Sequence, residues 1–166
     1  WFKGTADAIG HYLRFIEDSD ADYVAVFGGD HIYKMDIRQM IEFHAMSCAD
    51  ITIAALEVGQ AEARRFGVFE LDRHGKVLTF VEKPDEPKTI PGSDMCFASM
   101  GNYIFSRKKL ISVIKDGMKL YSDLDFGKHV IPMMLAAGDR VFAYNFNDNL
   151  IPGMTPEEKG YWKDVG

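Results

Sequence analysis

Apolar and polar positions along the chain switch between helical and strand periods in a regular rhythm. Ile9, Tyr12, Leu13 and Ile16 recur at i, i+3, i+4 and i+7, which predicts a helix with one apolar face. Thr5 stands as its N-cap, and Asp7 in the first turn suits the helix dipole. A Gly-Thr helix start can equally hold an anion on its free N–H groups. Tyr23-Val24-Ala25-Val26-Phe27 is an unbroken apolar run, which predicts a strand buried on both faces. A second helix follows, capped by Asp36, with Ile37, Met40, Ile41 and His44 on one side. His44 there reads as a helix-face residue rather than a ligand. Ile51 to Leu56 is another strand, too apolar for an edge. Helix, strand, helix, strand in this order implies right-handed βαβ units and a largely parallel sheet.

The pattern then changes. A short polar helix near Ala61 to Arg65 leads into two alternating runs, Phe66 to Leu71 and Val77 to Glu82, joined by Asp72-Arg73-His74-Gly75-Lys76. That is a hairpin, with His74 in its exposed turn. Lys83-Pro84 stops the second run, and Pro87, Pro91 and Gly92 mark a loop out to Met95. Phe97 to Phe105 returns as a strand. Ser106 caps a helix that carries Leu110, Ile111 and Ile114 and ends at Gly117. A further helix is expected from Asp125 to Ala137 with Gly138 as its C′ residue. Val141 to Phe146 is a late strand, and a Pro- and Gly-containing loop leads to Tyr161-Trp162-Lys163-Asp164-Val165-Gly166.

Composition narrows the function classes. A chain of 166 residues, 47% hydrophobic and 27% charged, suits one globular domain with a proper core. A net charge of −6 argues against nucleic-acid binding driven by phosphate neutralisation. Anionic phosphates must then be met by a few placed cations or a metal. No apolar run approaches the ~20 residues of a membrane span, and no signal peptide is visible. Cys48 and Cys96 stand apart, without CxxC or histidine at ligand spacing, which argues against zinc and for free thiols in the cytoplasm. The chain starts at Trp1 rather than Met, and is expected to be a piece of a longer protein.

Three places carry candidate chemistry. Gly28-Gly29-Asp30 follows the first strand, where ligands of open α/β sheets sit beyond the strand ends. Asp30 is either a turn residue or a hard oxygen ligand for Mg²⁺ carried by phosphates. Glu82-Lys83-Pro84 ends another strand; it is either an exposed ion pair or a lysine for phosphate beside a glutamate for sugar hydroxyls. Asp164 is either a turn aspartate or a second carboxylate converging with Asp30 on one cation. Asp125-Phe126-Gly127 spells the kinase metal motif but lacks the Gly-rich, His-Arg-Asp and Val-Ala-Ile-Lys elements, so Asp125 reads as a helix cap. No hydrolase triad has supporting context, and neither GxGxxG nor GxxxxGK[ST] occurs.

Six segments in order identify a resemblance: Trp1 to Ala8, Gly29 to Asp36, Phe66-Gly67-Val68, Phe80 to Pro84, Ala98-Ser99-Met100-Gly101 and Trp162 to Gly166. Together they resemble the bacterial glucose-1-phosphate adenylyltransferases. The resemblance implies an α/β, Rossmann-like nucleotidyltransferase fold, a mixed and mostly parallel sheet flanked by helices. It implies adenylyl transfer from ATP to glucose 1-phosphate for glycogen synthesis. By motif, Asp30 and Asp164 would bind Mg²⁺ and, with Lys83, form the catalytic set. Phe2, Gly67, Glu82, Lys83 and Ser99 would meet glucose 1-phosphate. Gly4, Thr5, Asp7 and Gly29 would lie by the nucleotide. A cytoplasmic homotetramer, with no membrane or nucleic-acid partner, belongs to the same picture. Phe2 replaces the usual tyrosine, which weakens the expected grip on the sugar phosphate. The family's N-terminal Gly-rich segment and C-terminal β-helix have no counterpart here. Residues 1–166 are therefore expected to be an internal part of one catalytic domain, incomplete at its N-terminus and inactive alone. Rival readings are a sister enzyme using UTP, dTTP or GTP, a non-catalytic regulatory subunit, and a metal-dependent glycosyltransferase. The last would want Asp-x-Asp where this chain has Gly-Asp-His.

Overall fold

The twelve residues of one strand, Met95–Ser106, organise the molecule in a computed structural model that describes residues 3–29 and 34–155. In chain order the elements are α1 (Thr5–His11), α2 (Leu13–Glu17), β1 (Tyr23–Val26), α3 (Ile37–Met46), β2 (Ile51–Gly59) and α4 (Gln60–Ala63). Then come β3 (Gly67–Leu71), β4 (Val77–Glu82), β5 (Met95–Ser106), α5 (Arg107–Leu120), a π-helical turn (Phe126–Val130), α6 (Ile131–Ala136) and β6 (Val141–Asn145). A short 3₁₀ turn, Phe146–Asp148, follows. The sheet runs β4-β3-β5-β2-β6, with β1 also on β5. One face is covered by α1, α2, α5, the π-helical turn and α6, whose Leu13, Leu110, Ile114, Phe126 and Met134 are buried. The other carries α3 and α4, through Met40 and Ala63.

The mixed sheet with helices on both faces is the α/β arrangement expected, but among the described residues only β2 and β6 pair in parallel. β1 and β2 both run antiparallel to β5, and so point the same way as a βαβ unit requires. They are not neighbours, because β5 arrives from far along the chain and lies between them. The local rhythm gave strand direction; adjacency was decided by a non-local partner. β2 is central and buried from Ile51 to Leu56, which explains its lack of polar alternation. β1 departs from its expected double burial: its outer edge has no strand partner among the described residues, and Tyr23 is 38% exposed.

Local expectations at the helix ends were met in part. Asp36 caps α3 by accepting from Arg38 N at 3.1 Å, and Gly138 leaves α6 with φ 75°. α5 runs past Gly117, which packs against Leu124, and ends at Leu120. The helix expected from Asp125 to Ala137 is divided into a π-helical turn and α6, since Pro132 brings no N–H to the preceding turn. Ser106 occupies the N-cap position of α5, yet its hydroxyl donates to Ala49 O at 2.9 Å instead. The hairpin of β3 and β4 reaches across to the sheet's far edge. There Ala143 N donates to Gly75 O at 2.9 Å, and Lys76 bridges Phe142.

His44 is wholly buried under β2. Its Nδ1 lies 2.8 Å from Thr52 Oγ1 and its Nε2 3.2 Å from Ser106 Oγ. Because the Ser106 proton goes to Ala49, Nε2–H donates to Ser106 and bare Nδ1 accepts from Thr52. Both ring atoms are satisfied in the neutral form, and burial pushes the His44 pKa down to about 4. A base whose folded pKa lies below its unfolded value stabilises the fold fully above pH ~6.5 and loses that contribution as pH falls towards 4. The loss should total on the order of 3 kcal/mol, read by urea unfolding between pH 7.5 and 4. The slope should be largely absent in His44→Gln; if it persists there, another group causes it.

Candidate active site

Two strands share one edge of β5 and leave a gap between them. β3 pairs at Phe97 and Ala98, and β1 begins to pair at Tyr103. Among the described residues Ser99 to Asn102 therefore have no strand partner on that edge, which leaves an opening in the ladder. On the opposite edge the register passes from Ala55↔Ser99 to Ile53↔Tyr103, so residues 100–102 stand opposite Ala54 alone. Gly101 takes up the resulting bulge with φ 72°, and its N–H donates to Ser99 Oγ at 3.2 Å. Asn102 is completely buried with both ends of its amide unpaired. Such an orphan amide costs on the order of 1–3 kcal/mol.

Glu82, at the end of β4, stands opposite Gly67 in the β3 register. A Cβ on Gly67 would come within 2.7 Å of the Phe80 ring and 3.0 Å of Glu82 Oε2. A Cβ on Gly127, in the π-helical turn, would lie 2.8 Å from Glu82 Cδ. Two glycines thus wall the carboxylate. Lys83 N donates to Phe66 O at 2.9 Å, and Pro84 ends the ladder. Lys83 adopts φ 49°, a left-handed conformation that costs a non-glycine residue about 1–2 kcal/mol. Its exposed side chain forms no ion pair among the described residues.

Asp125 completes the wall. Its carboxylate accepts from Lys128 N at 2.9 Å and from the Thr5 hydroxyl at 3.0 Å. Burial works to raise its pKa, but those hydrogen bonds outweigh it and hold Asp125 below the usual range. Glu82 moves the other way, raised by burial and then by the Asp125 charge, with Lys83 and Lys128 opposing. Two neighbouring carboxylates are pushed apart, one kept ionised and one made easier to protonate. The buried Tyr103 hydroxyl lies beside Ser99, and burial together with the Glu82 and Asp125 charges pushes its pKa up.

The sequence-predicted residues divide into groups. Gly67, Glu82, Lys83 and Ser99 come from three strands to this one opening, and Thr5 joins them through Asp125. Thr5 is not the cap of α1; Gly4 holds that position, and the Thr5 oxygen also accepts from Phe126 N at 3.2 Å. Nor are the first N–H groups of α1 free for an anion, since Ala6 and Asp7 both donate to Leu124 O. Gly4 lies against the backbone of Asp123 and Leu124. Asp7 accepts from Lys3 N at 3.0 Å and faces His11 at 3.7 Å. Gly29 is exposed in open space beyond β1. Phe2, Asp30 and Asp164 lie outside the described residues. Tyr103, Asp125 and Gly127 were not among the expected site residues. Asp125 does cap as expected, but its second oxygen turns to Thr5, and only the fold reveals that.

A cavity of about 800 Å³ lies elsewhere, between the hairpin turn, the loop at Ile90 and β6, lined by Phe43, Phe69, Phe97 and Tyr144. It holds none of the expected site residues. Two of its acids are already occupied, Glu70 by Thr79 and Lys88 and Asp72 by the turn N–H groups. Gly67, Glu82, Lys83 and Ser99 lie at the opening beside β5 instead. Thr5→Val should cost about 1–2 kcal/mol by leaving Phe126 N–H and Asp125 each short of a partner, whereas Thr5→Ser should retain most of it. Equal losses in chemical denaturation would show that the hydroxyl is not what holds this corner.

The chain matches the nucleotidyl transferase family over residues 2–166. It is similar over its whole length to glucose-1-phosphate adenylyltransferases, 74% identical to that of Geobacter metallireducens, 70% to that of Trichlorobacter lovleyi and 51% to that of Thermus thermophilus. It spans 40% of the length of each of these relatives. With a match running through β5 and every strand beside it, the chain belongs to the nucleotidyl transferase family.

Proposed function

We propose that the complete protein transfers an adenylyl group from ATP to glucose 1-phosphate, giving ADP-glucose and pyrophosphate. The observation that carries this reading is that Gly67, the Glu82-Lys83 pair and Ser99, from three separate segments, lie side by side at one opening of the sheet. The printed names of the relatives supply the substrate pair.

The residue types suit an in-line displacement without an enzyme-bound intermediate. A phosphate oxygen of glucose 1-phosphate attacks the α-phosphorus of ATP, the bond to the bridging oxygen breaks, and pyrophosphate leaves with the electron pair. The attacking phosphate is already an anion near neutral pH, so the site needs no strong general base. Its work is positioning and charge neutralisation. Lys83, projected from a strained backbone position, supplies a point charge for the sugar phosphate. Glu82 accepts sugar hydroxyls, and Ser99 offers a further polar contact.

A divalent cation belongs to the same reading. Among the described residues no group of three His, Cys, Asp or Glu side chains gathers around one point. Asp30 and Asp164, which would hold Mg²⁺ by motif, are the hard oxygen donors that this ion prefers beside phosphates and water. The ion would screen the charge of the triphosphate. The cytoplasmic homotetramer remains part of the proposal; among the described residues no helix is long and apolar enough to cross a membrane.

In the complete enzyme, Lys83→Ala should raise the KM for glucose 1-phosphate ~10–100-fold, the scale of a lost charged hydrogen bond, with the KM for ATP little changed. Asp30→Asn should lower Mg²⁺-dependent turnover by ~10²-fold. Activity near wild type in either variant would remove that residue from the site. A panel of ATP, UTP, dTTP and GTP separates the adenylyl reading from a sister enzyme, and no turnover with any of them would favour a regulatory subunit.

A further inference from the structure

We propose that Gly127 is a positioning residue for the sugar-phosphate site, its bare Cα in the π-helical turn deciding where the Glu82 carboxylate sits. The inference rests on the reading above, in which that carboxylate receives sugar hydroxyls.

Three observations lead to it. First, Glu82 is half-buried, yet among the described residues its carboxylate accepts no hydrogen bond and forms no ion pair. A carboxylate away from full solvent normally finds donors. This one is located by shape, between Gly67 on the neighbouring strand and Gly127 on the turn, and its oxygens remain available to a ligand. Second, Gly127 does not lie in the left-handed region, so the backbone alone would admit alanine there. A glycine in a helical segment is disfavoured against alanine by about 1 kcal/mol, and the buried position at 127 gives one reason to keep it. A methyl group there would overlap the Glu82 carboxylate, standing 2.8 Å from its Cδ.

Third, the turn is fastened where it must not move. Val130 N reaches Asp125 O at 3.0 Å in the wide ring of a π-helix, and His129 N donates to the same carbonyl at 3.1 Å. Thr5 and Lys128 N hold the Asp125 side chain, and Phe126 is buried beside Tyr103 with ring centroids 5.0 Å apart. The π-helical turn cannot easily withdraw to make room, so an added Cβ would displace the more weakly held partner, Glu82.

The test is a double-mutant cycle in the complete enzyme with Gly127→Ala, Glu82→Ala and both together, reading Tm, kcat and each KM. Gly127→Ala should lower Tm and raise the KM for glucose 1-phosphate about tenfold, while kcat and the KM for ATP stay within about twofold. With Glu82→Ala already present, adding Gly127→Ala should leave KM unchanged and Tm unchanged or slightly raised, because the clash and the displaced group are both gone and only the helix preference for alanine remains. Effects that multiply, a Tm loss that persists in the double variant, or a silent Gly127→Ala would each overturn the proposal. Should Gly127→Ala alone fail to fold, recovery of folding by Glu82→Ala supports it and continued failure refutes it. An unchanged KM in Glu82→Ala would instead refute the role given to Glu82, while the Tm arm still decides whether Gly127 makes room for it.

Discussion

A single long strand with two partners on one side sets the terms for everything else. β5 is continuous along β2, but on its other edge it passes from β3 to β1. Among the described residues no strand partner occupies the stretch from Ser99 to Asn102 on that edge, and residues of β3, β4, α1 and the π-helical turn lie beside it. A strand paired on both edges throughout would use every backbone group in the ladder and leave nothing for a ligand. The opening is therefore made by topology, and chemistry has been placed around it.

Departures from local rules gather at the same place. Lys83 holds a left-handed backbone, Asn102 buries an amide without partners, three residues of β5 crowd opposite Ala54, and a π-helical turn interrupts a helix. Elsewhere His44, an unusual residue for a core, has both nitrogens satisfied and β2 is evenly buried, although Cys48 also takes a left-handed backbone at φ 46° and Arg107 Nε is buried without a partner. Strain of this kind is a common companion of functional sites, and it agrees with the role proposed for the region beside β5. The opposed shifts of Glu82 and Asp125 have separate causes: burial and then the Asp125 charge raise Glu82, whereas hydrogen bonds from the Lys128 N–H and Thr5 lower Asp125 against its own burial.

Much of this was legible in the chain. Apolar periodicity found the strands and most helices, because burial on one face or two leaves a mark on every second or every third to fourth residue. The motif residues Gly67, Glu82 and Ser99 lie on neighbouring strands, with Lys83 directly after β4. What escaped notice depended on non-local partners. Nothing near β1 or β2 says that β5 will slide between them. Ser106 has the right identity and position for a cap, but a histidine 62 residues away and the carbonyl of Ala49 compete for its hydroxyl. Thr5 was drawn off in the same way by Asp125, 120 residues on. Side chains able to cap are able to bond elsewhere, and local sequence does not reveal which offer prevails.

The hairpin of β3 and β4 is joined to the body of the protein at both extremities. Its tip is bonded to β6 through Gly75, and its base meets the π-helical turn where Glu82 and Lys83 emerge. Mechanically it is a beam resting on two supports rather than a flap hung from one. A beam of that kind resists tilting at either end, so the groups at its base keep their place at the sheet's edge without struts of their own. Rigidity at Glu82 is thus supplied in part from the opposite end of the hairpin, by a backbone hydrogen bond on the far rim of the sheet.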